Sequence, residues 1–117
     1  MLVALALGTL GACSGSSSGG DSAPTKTVTN GTITVKAHDI GFDVGVIKTA
    51  PGPLTVTFEN TGAQQHDFKI NGTSLFLKAD GGKSATGTVT LAKGTYDFEC
   101  TIPGHKQAGM KGTVVVA

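Results

Sequence analysis

From residue 31 onward the chain is cut into short runs in which apolar and polar side chains alternate. Ile33, Val35 and Ala37 alternate with Thr32, Thr34 and Lys36; Leu54, Val56 and Phe58 alternate with Thr55, Thr57 and Glu59. His66, Phe68 and Ile70 share one parity against Asp67 and Lys69, and Tyr96, Phe98 and Cys100 share another. Further runs lie at 42–48 (broken by Gly45), 74–78, 85–91 and 112–117. Between them stand turn formers: Ala50-Pro51-Gly52-Pro53, Asn60-Thr61-Gly62, Asn71-Gly72, Asp80-Gly81-Gly82 and Lys93-Gly94. A period of two is that of a strand with one buried face. Seven or eight short strands at this spacing predict an all-β sandwich and exclude a helical or βαβ architecture. The 18 glycines, the absent tryptophan and the recurring Val and Thr agree with strands and turns. No repeat of 20–50 residues is visible, so residues 31–117 are expected to build one modest core.

The N-terminus has a different character. Residues 2–12 are apolar and end in small residues just before Cys13, too short a run to cross a bilayer as a helix. They predict an export signal over residues 1–12, and Leu10-Gly11-Ala12-Cys13 resembles a bacterial lipobox, which implies cleavage before Cys13 and lipidation of its thiol. No Lys or Arg precedes the apolar run, so the true start is expected upstream of Met1. Residues 14–30 open Ser-Gly-Ser-Ser-Ser-Gly-Gly and hold almost nothing apolar; burial cannot offset the entropy of ordering them. Residues 13–30 are therefore expected to be the lipidated cysteine and a flexible tether with a reach of roughly 20–25 Å. A Cys13–Cys100 disulfide is the weaker reading of the two cysteines. The expected location is extracytoplasmic, on the cell surface or the periplasmic face of a membrane.

Net charge is +1, and all nine basic residues are lysines. With no basic stripe and no aromatic ladder, the chain lacks a footprint for nucleic acid.

One loop concentrates the chemistry. Cys100-Thr-Ile-Pro-Gly-His105-Lys-Gln-Ala-Gly-Met110 carries a thiol, an imidazole and a thioether, with four residues between each donor and the next. Pro103-Gly104 sets a bend, and Gly109 allows close backbone approach. A Cys/His pair with a weak Met is the donor set of an electron-transfer copper site, which needs one further histidine. By parity His66 points inward with Phe68 and Ile70, as Cys100 does with Phe98. An inward histidine or cysteine alone is commonly plain core, since free Cys is among the most buried residues; together with His105 and Met110 the pair reads as a site. Zinc is the competing metal, but structural zinc sites usually pair cysteines, and this loop has one. A nucleophilic Cys–His pair would leave Met110 without a role. His38, beside Asp39 at a strand end, reads as a surface residue.

These motifs, with Phe58-Glu-Asn-Thr-Gly62 and His66-Asp-Phe68 upstream, resemble the small blue copper proteins, the cupredoxins, over residues 31–117, and among them auracyanin-type bacterial members. The resemblance implies a Greek-key β-sandwich with one type 1 copper bound by His66, Cys100 and His105 and a long axial contact from Met110. It also implies that the backbone N–H of Asp67 points at the Cys100 sulfur and that the Asp67 side chain pairs with Thr101. Relatives usually carry Asn where this chain has Asp67; an ionised carboxylate only accepts, so Thr101 has to donate, and an adjusted copper potential is expected. His105 is expected to reach the surface through an apolar patch of Ile102, Pro103, Ala108 and Gly109, fit for weak docking of redox partners.

The function this implies is one-electron transfer by a monomeric, membrane-tethered carrier that is not an enzyme. A cytochrome, an oxidase or a copper reductase would be compatible partners. The rival is copper delivery, storage or sensing at the cell surface, which Met- or His-rich tracts would favour, and the chain has none.

Overall fold

The computed structural model describes residues 23–117; the expected signal, Cys13 and the first part of the expected tether lie outside the described residues. The strands are β1 (Thr25–Thr27), β2 (Thr32–His38), β3 (Gly41–Phe42), β4 (Val46–Thr49), β5 (Gly52–Asn60), β6 (His66–Ile70), β7 (Phe76–Ala79), β8 (Ser84–Leu91), β9 (Gly94–Glu99) and β10 (Lys111–Val116). A six-stranded sheet in the order β1-β4-β10-β9-β6-β7 packs against a four-stranded sheet in the order β3-β2-β5-β8. The all-β sandwich is as expected, with ten strands in place of seven or eight. The surplus comes from very short elements, β1 and the two-residue β3, which single-run alternation cannot signal.

Strand β1 corrects the expected tether. Thr25–Thr27 pair in parallel with Val46–Lys48 and extend the larger sheet. The segment has little to bury, but an edge strand needs only free backbone groups to pair with. Lys26 adds a side-chain anchor, with its Nζ 2.6 Å from Asp43 Oδ2 and 3.2 Å from the Thr34 carbonyl.

Alternation decides the faces. In β2 Ile33, Val35 and Ala37 are buried and the residues between them exposed; in β5 Leu54, Val56 and Phe58 point inward. β2 and β5 run parallel, with Val35 beside Phe58 and Ala37 beside Asn60. The inner faces meet in four phenylalanines: Phe42 and Phe58 from the smaller sheet, Phe68 and Phe98 from the larger. Phe42 lies edge-on to Phe68 and Phe98, with centroids 5.7 and 5.6 Å away, and Phe68 and Phe98 are 5.0 Å apart. Such offset and edge-to-face contacts add to simple area burial and leave little freedom. Phe68 is two residues past His66 and Phe98 two residues before Cys100. The aromatic cluster therefore anchors the strands that carry both residues, directly beneath them.

Candidate metal centre

His66 opens β6, Cys100 follows the last residue of β9, and His105 stands in the loop from there to β10. That loop folds back on itself. His105 N–H donates to Ile102 O at 3.0 Å, Gly109 N–H to Lys106 O at 3.0 Å, and Met110 N–H to His105 O at 3.1 Å. Gly104 and Gly109 take φ of 85° and 115°, left-handed values that a side chain disfavours. Beyond the β9–β10 ladder, Cys100 N–H donates to Met110 O at 3.1 Å, so the pairing of Lys111 with Glu99 continues to Met110 opposite Cys100. Residues opposite each other in a ladder share a face, and both are buried.

The three candidate donors converge. One ligand atom each from His66, Cys100 and His105 lies within 4.8 Å of the others, the one such group among the described residues. His66 Nδ1 is 3.1 Å from His105 Nδ1, which is 3.5 Å from Cys100 Sγ. These separations suit donors around a single ion with bonds of about 2.0–2.3 Å. Burial pushes the Cys100 thiol up from its ordinary value, opposed by the N–H groups of Asp67 and Ile102. A thiol held protonated by burial, yet aimed at two imidazoles, is a group that ionises against a cation. Met110 is fully buried nearby. One thiol, two imidazoles and a thioether fit copper better than a zinc site with paired cysteines.

The surroundings are hydrogen-bonded throughout. Asp67 N–H points at Cys100 Sγ at 3.5 Å. The Asp67 carboxylate, 2 % exposed, accepts from Thr101 N–H at 2.6 Å and Thr101 Oγ1 at 2.5 Å. The β6–β9 ladder stops at Lys69 and Glu99. Its register continues to Asp67 opposite Thr101, and there the Asp67 side chain takes the place of a backbone acceptor.

Two polar residues of the site escaped the sequence reading. Asp39, in the turn from β2 to β3, places Oδ1 2.7 Å from His66 Nε2. The N–H of Ala63 foremost, then the bond to His66, hold its carboxyl below the ordinary value. Asn60, buried at the end of β5, donates to Gln64 O at 2.7 Å and Ala79 O at 2.9 Å and accepts from Gly62 N–H at 2.9 Å. It braces the 61–65 loop that delivers His66. The sequence carried two signals for it, inward parity on a polar residue and its place in the Phe58–Gly62 motif, where it read as a turn former.

Pro103, Ala108 and Gly109 are exposed, whereas Ile102 is half-buried against the core. Ala108 and Gly109 line a groove of about 370 Å³ together with Ile40 and His38. Ile40, 37 % exposed, thus extends the apolar surface beyond the loop, and His38 is exposed and outside the donor group. At the loop's other flank Lys106 Nζ lies 2.8 Å from Glu99 Oε2 and holds that carboxyl below its ordinary value.

Comparison with known proteins agrees with this geometry. The family of copper binding proteins, plastocyanin/azurin family, matches residues 21–117. Reduced auracyanin from the photosynthetic bacterium Roseiflexus castenholzii is 28 % identical with a TM-score of 0.67, over 77 % of this chain and 99 % of that one. Auracyanin A, a "blue" copper protein from Chloroflexus aurantiacus, is 23 % identical (TM-score 0.59; 74 % and 100 % covered). Rusticyanin from Thiobacillus ferrooxidans is 24 % identical (TM-score 0.63; 80 % and 82 % covered). The last two likenesses speak for the fold alone. No curated protein sequence matches the chain.

Proposed function

The chain belongs to the plastocyanin/azurin family of copper-binding proteins, and on that premise we propose that it is a one-electron carrier. In this reading His66, Cys100 and His105 would hold one type 1 copper ion, and the Met110 thioether would be a further, weaker donor. The carrying observation is the buried convergence of His66 Nδ1, Cys100 Sγ and His105 Nδ1. Bound copper supplies the Cu(II)/Cu(I) couple. The chain supplies fixed donors: the Phe68–Phe98 pair holds the two strands, and Thr101 on Asp67 holds the start of the loop. The Asp67 N–H aimed at the sulfur favours thiolate over thiol. Cys100 gives up its proton on loading, so copper affinity falls in acid. His105 is 7 % exposed, more than His66 or Cys100, and the loop that carries it exposes Pro103, Ala108 and Gly109. That face is the electron exit and the docking patch, and Ile102 supports it from below.

On the same reading residues 1–12 are removed, Cys13 is lipidated, and the domain works as a monomer outside the cytoplasm, tethered to a membrane. It exchanges electrons with a cytochrome, an oxidase or a copper reductase and catalyses no reaction of its own.

The test is to load the protein with Cu(II) and record its visible and paramagnetic resonance spectra, then mix it with a reduced cytochrome. An intense thiolate-to-copper band with small hyperfine splitting, and reduction with the copper retained, are expected. A colourless protein that takes up zinc would overturn the metal assignment; release of copper at each encounter would make it a delivery protein.

A further inference from the structure

All four candidate donors belong to the larger sheet or to the loop between two of its strands. The smaller sheet still touches a donor side chain, through Asp39. Asp39 leaves the end of β2 and meets the face of His66 turned away from Cys100 and His105.

Buried imidazole leaves two ring nitrogens to satisfy. His66 has no exposed surface; its Nδ1 faces His105 and its Nε2 faces Asp39. A carboxylate accepts only, so Nε2 bears the hydrogen and Nδ1 keeps its lone pair for a ligand bond. Backbone pairing alone does not hold this end of β6. His66 pairs with Ala79 of β7 on one side, but the ladder to β9 on the other side reaches no further than Lys69.

The carboxylate is itself fixed. Ala63 N–H donates to Oδ2 at 2.8 Å and Gln64 N–H to Oδ1 at 3.2 Å. Beside these bonds, Thr61 ties the same loop to the end of β2, with its N–H and Oγ1 2.8 and 2.7 Å from Ala37 O. Gly62 makes room: a Cβ there would overlap the Asp39 carboxylate. Its φ is not left-handed, so glycine is needed there for space and not for conformation.

We propose that Asp39 is a positioning residue for the metal centre. It fixes His66 as the Nε2–H tautomer with Nδ1 free for copper, and its negative charge favours the oxidised ion. The inference rests on the copper-carrier reading, but its first test needs no copper. In the metal-free protein, nitrogen-15 NMR is expected to find His66 as the Nε2–H tautomer with a slowly exchanging ring proton. An Nδ1–H tautomer in the wild type would overturn the proposal.

Three variants complete the test. Asp39→Asn keeps an acceptor of the same shape without the charge; it is expected to keep the blue spectrum and raise the reduction potential. Gly62→Ala keeps the charge but displaces it, and is expected to lose the slow ring proton. Asp39→Ala is expected to weaken Cu(II) binding about 10–100-fold, the usual effect of removing a partner behind a metal-bound histidine. Unchanged potential in Asp39→Asn together with an unchanged ring proton in Gly62→Ala would reduce Asp39 to a structural contact. A wild type that binds no copper would remove the carrier reading and leave the tautomer result to decide the position of His66.

Discussion

The two arms of the metal centre are built on opposite plans. The arm from Cys100 to Met110 is local: donors five positions apart, turns at two left-handed glycines, and hydrogen bonds closed within the loop. The His66 arm is assembled from distance. One donor at the head of β6 is held by Asp39 from the other sheet, by the loop that Asn60 braces, and by Phe68 in the core. A local arm can lose a donor without losing the fold. An arm made of long-range contacts transmits damage to both.

The largest effect that would sharpen this contrast is Cys100→Ser. It is expected to abolish the thiolate-to-copper band while the metal-free thermal midpoint stays close to wild type, checked by absorption and circular dichroism. Phe68→Ala should break the contrast from the other side, costing about 3–5 kcal/mol in denaturant unfolding and weakening copper uptake together. Asp67→Ala severs the link between the arms and leaves Thr101 N–H without its acceptor; a loss of about 1–3 kcal/mol is expected. Asp67→Asn keeps the shape, and loss of a buried negative charge near the oxidised ion is expected to raise the potential in voltammetry.

The smallest effect concerns the ion pair between the loop and the end of β9. Lys106 holds Glu99 below the ordinary carboxyl value. A lowered folded-state value means stability that is present above the ordinary value and lost as pH falls through the folded one. Acid titration of metal-free Lys106→Ala should show only a slight weakening above that range and none at its acid end. The pair opens to solvent on its Lys106 side, 54 % exposed, so a large change would mean that the loop depends on it more than its internal turns imply.

Legibility follows the same division. Strand parity put Ile33, Val35, Leu54, Val56, Phe58 and Phe68 inward, and each is buried, because pleating is a property of neighbouring residues. The loop's donors could be read for the same reason. β1 could not, since it contributes backbone to an edge and almost nothing to the core. Asp39 could not either: 27 positions separate it from His66, and nothing near it in the chain distinguishes it from a surface turn residue. Gly62 looked like a turn former and proves to be space for a carboxylate.

The amino-acid sequence by itself determined the strand periods, the sandwich class and the chemistry of the donors, because those depend on residue type and short-range order. Only the tertiary structure decided which nitrogen of His66 faces the other donors, and that a carboxylate from the opposite sheet lies behind it. Ring orientation is set by whatever packs against both edges of the imidazole, and those partners are neighbours in space alone.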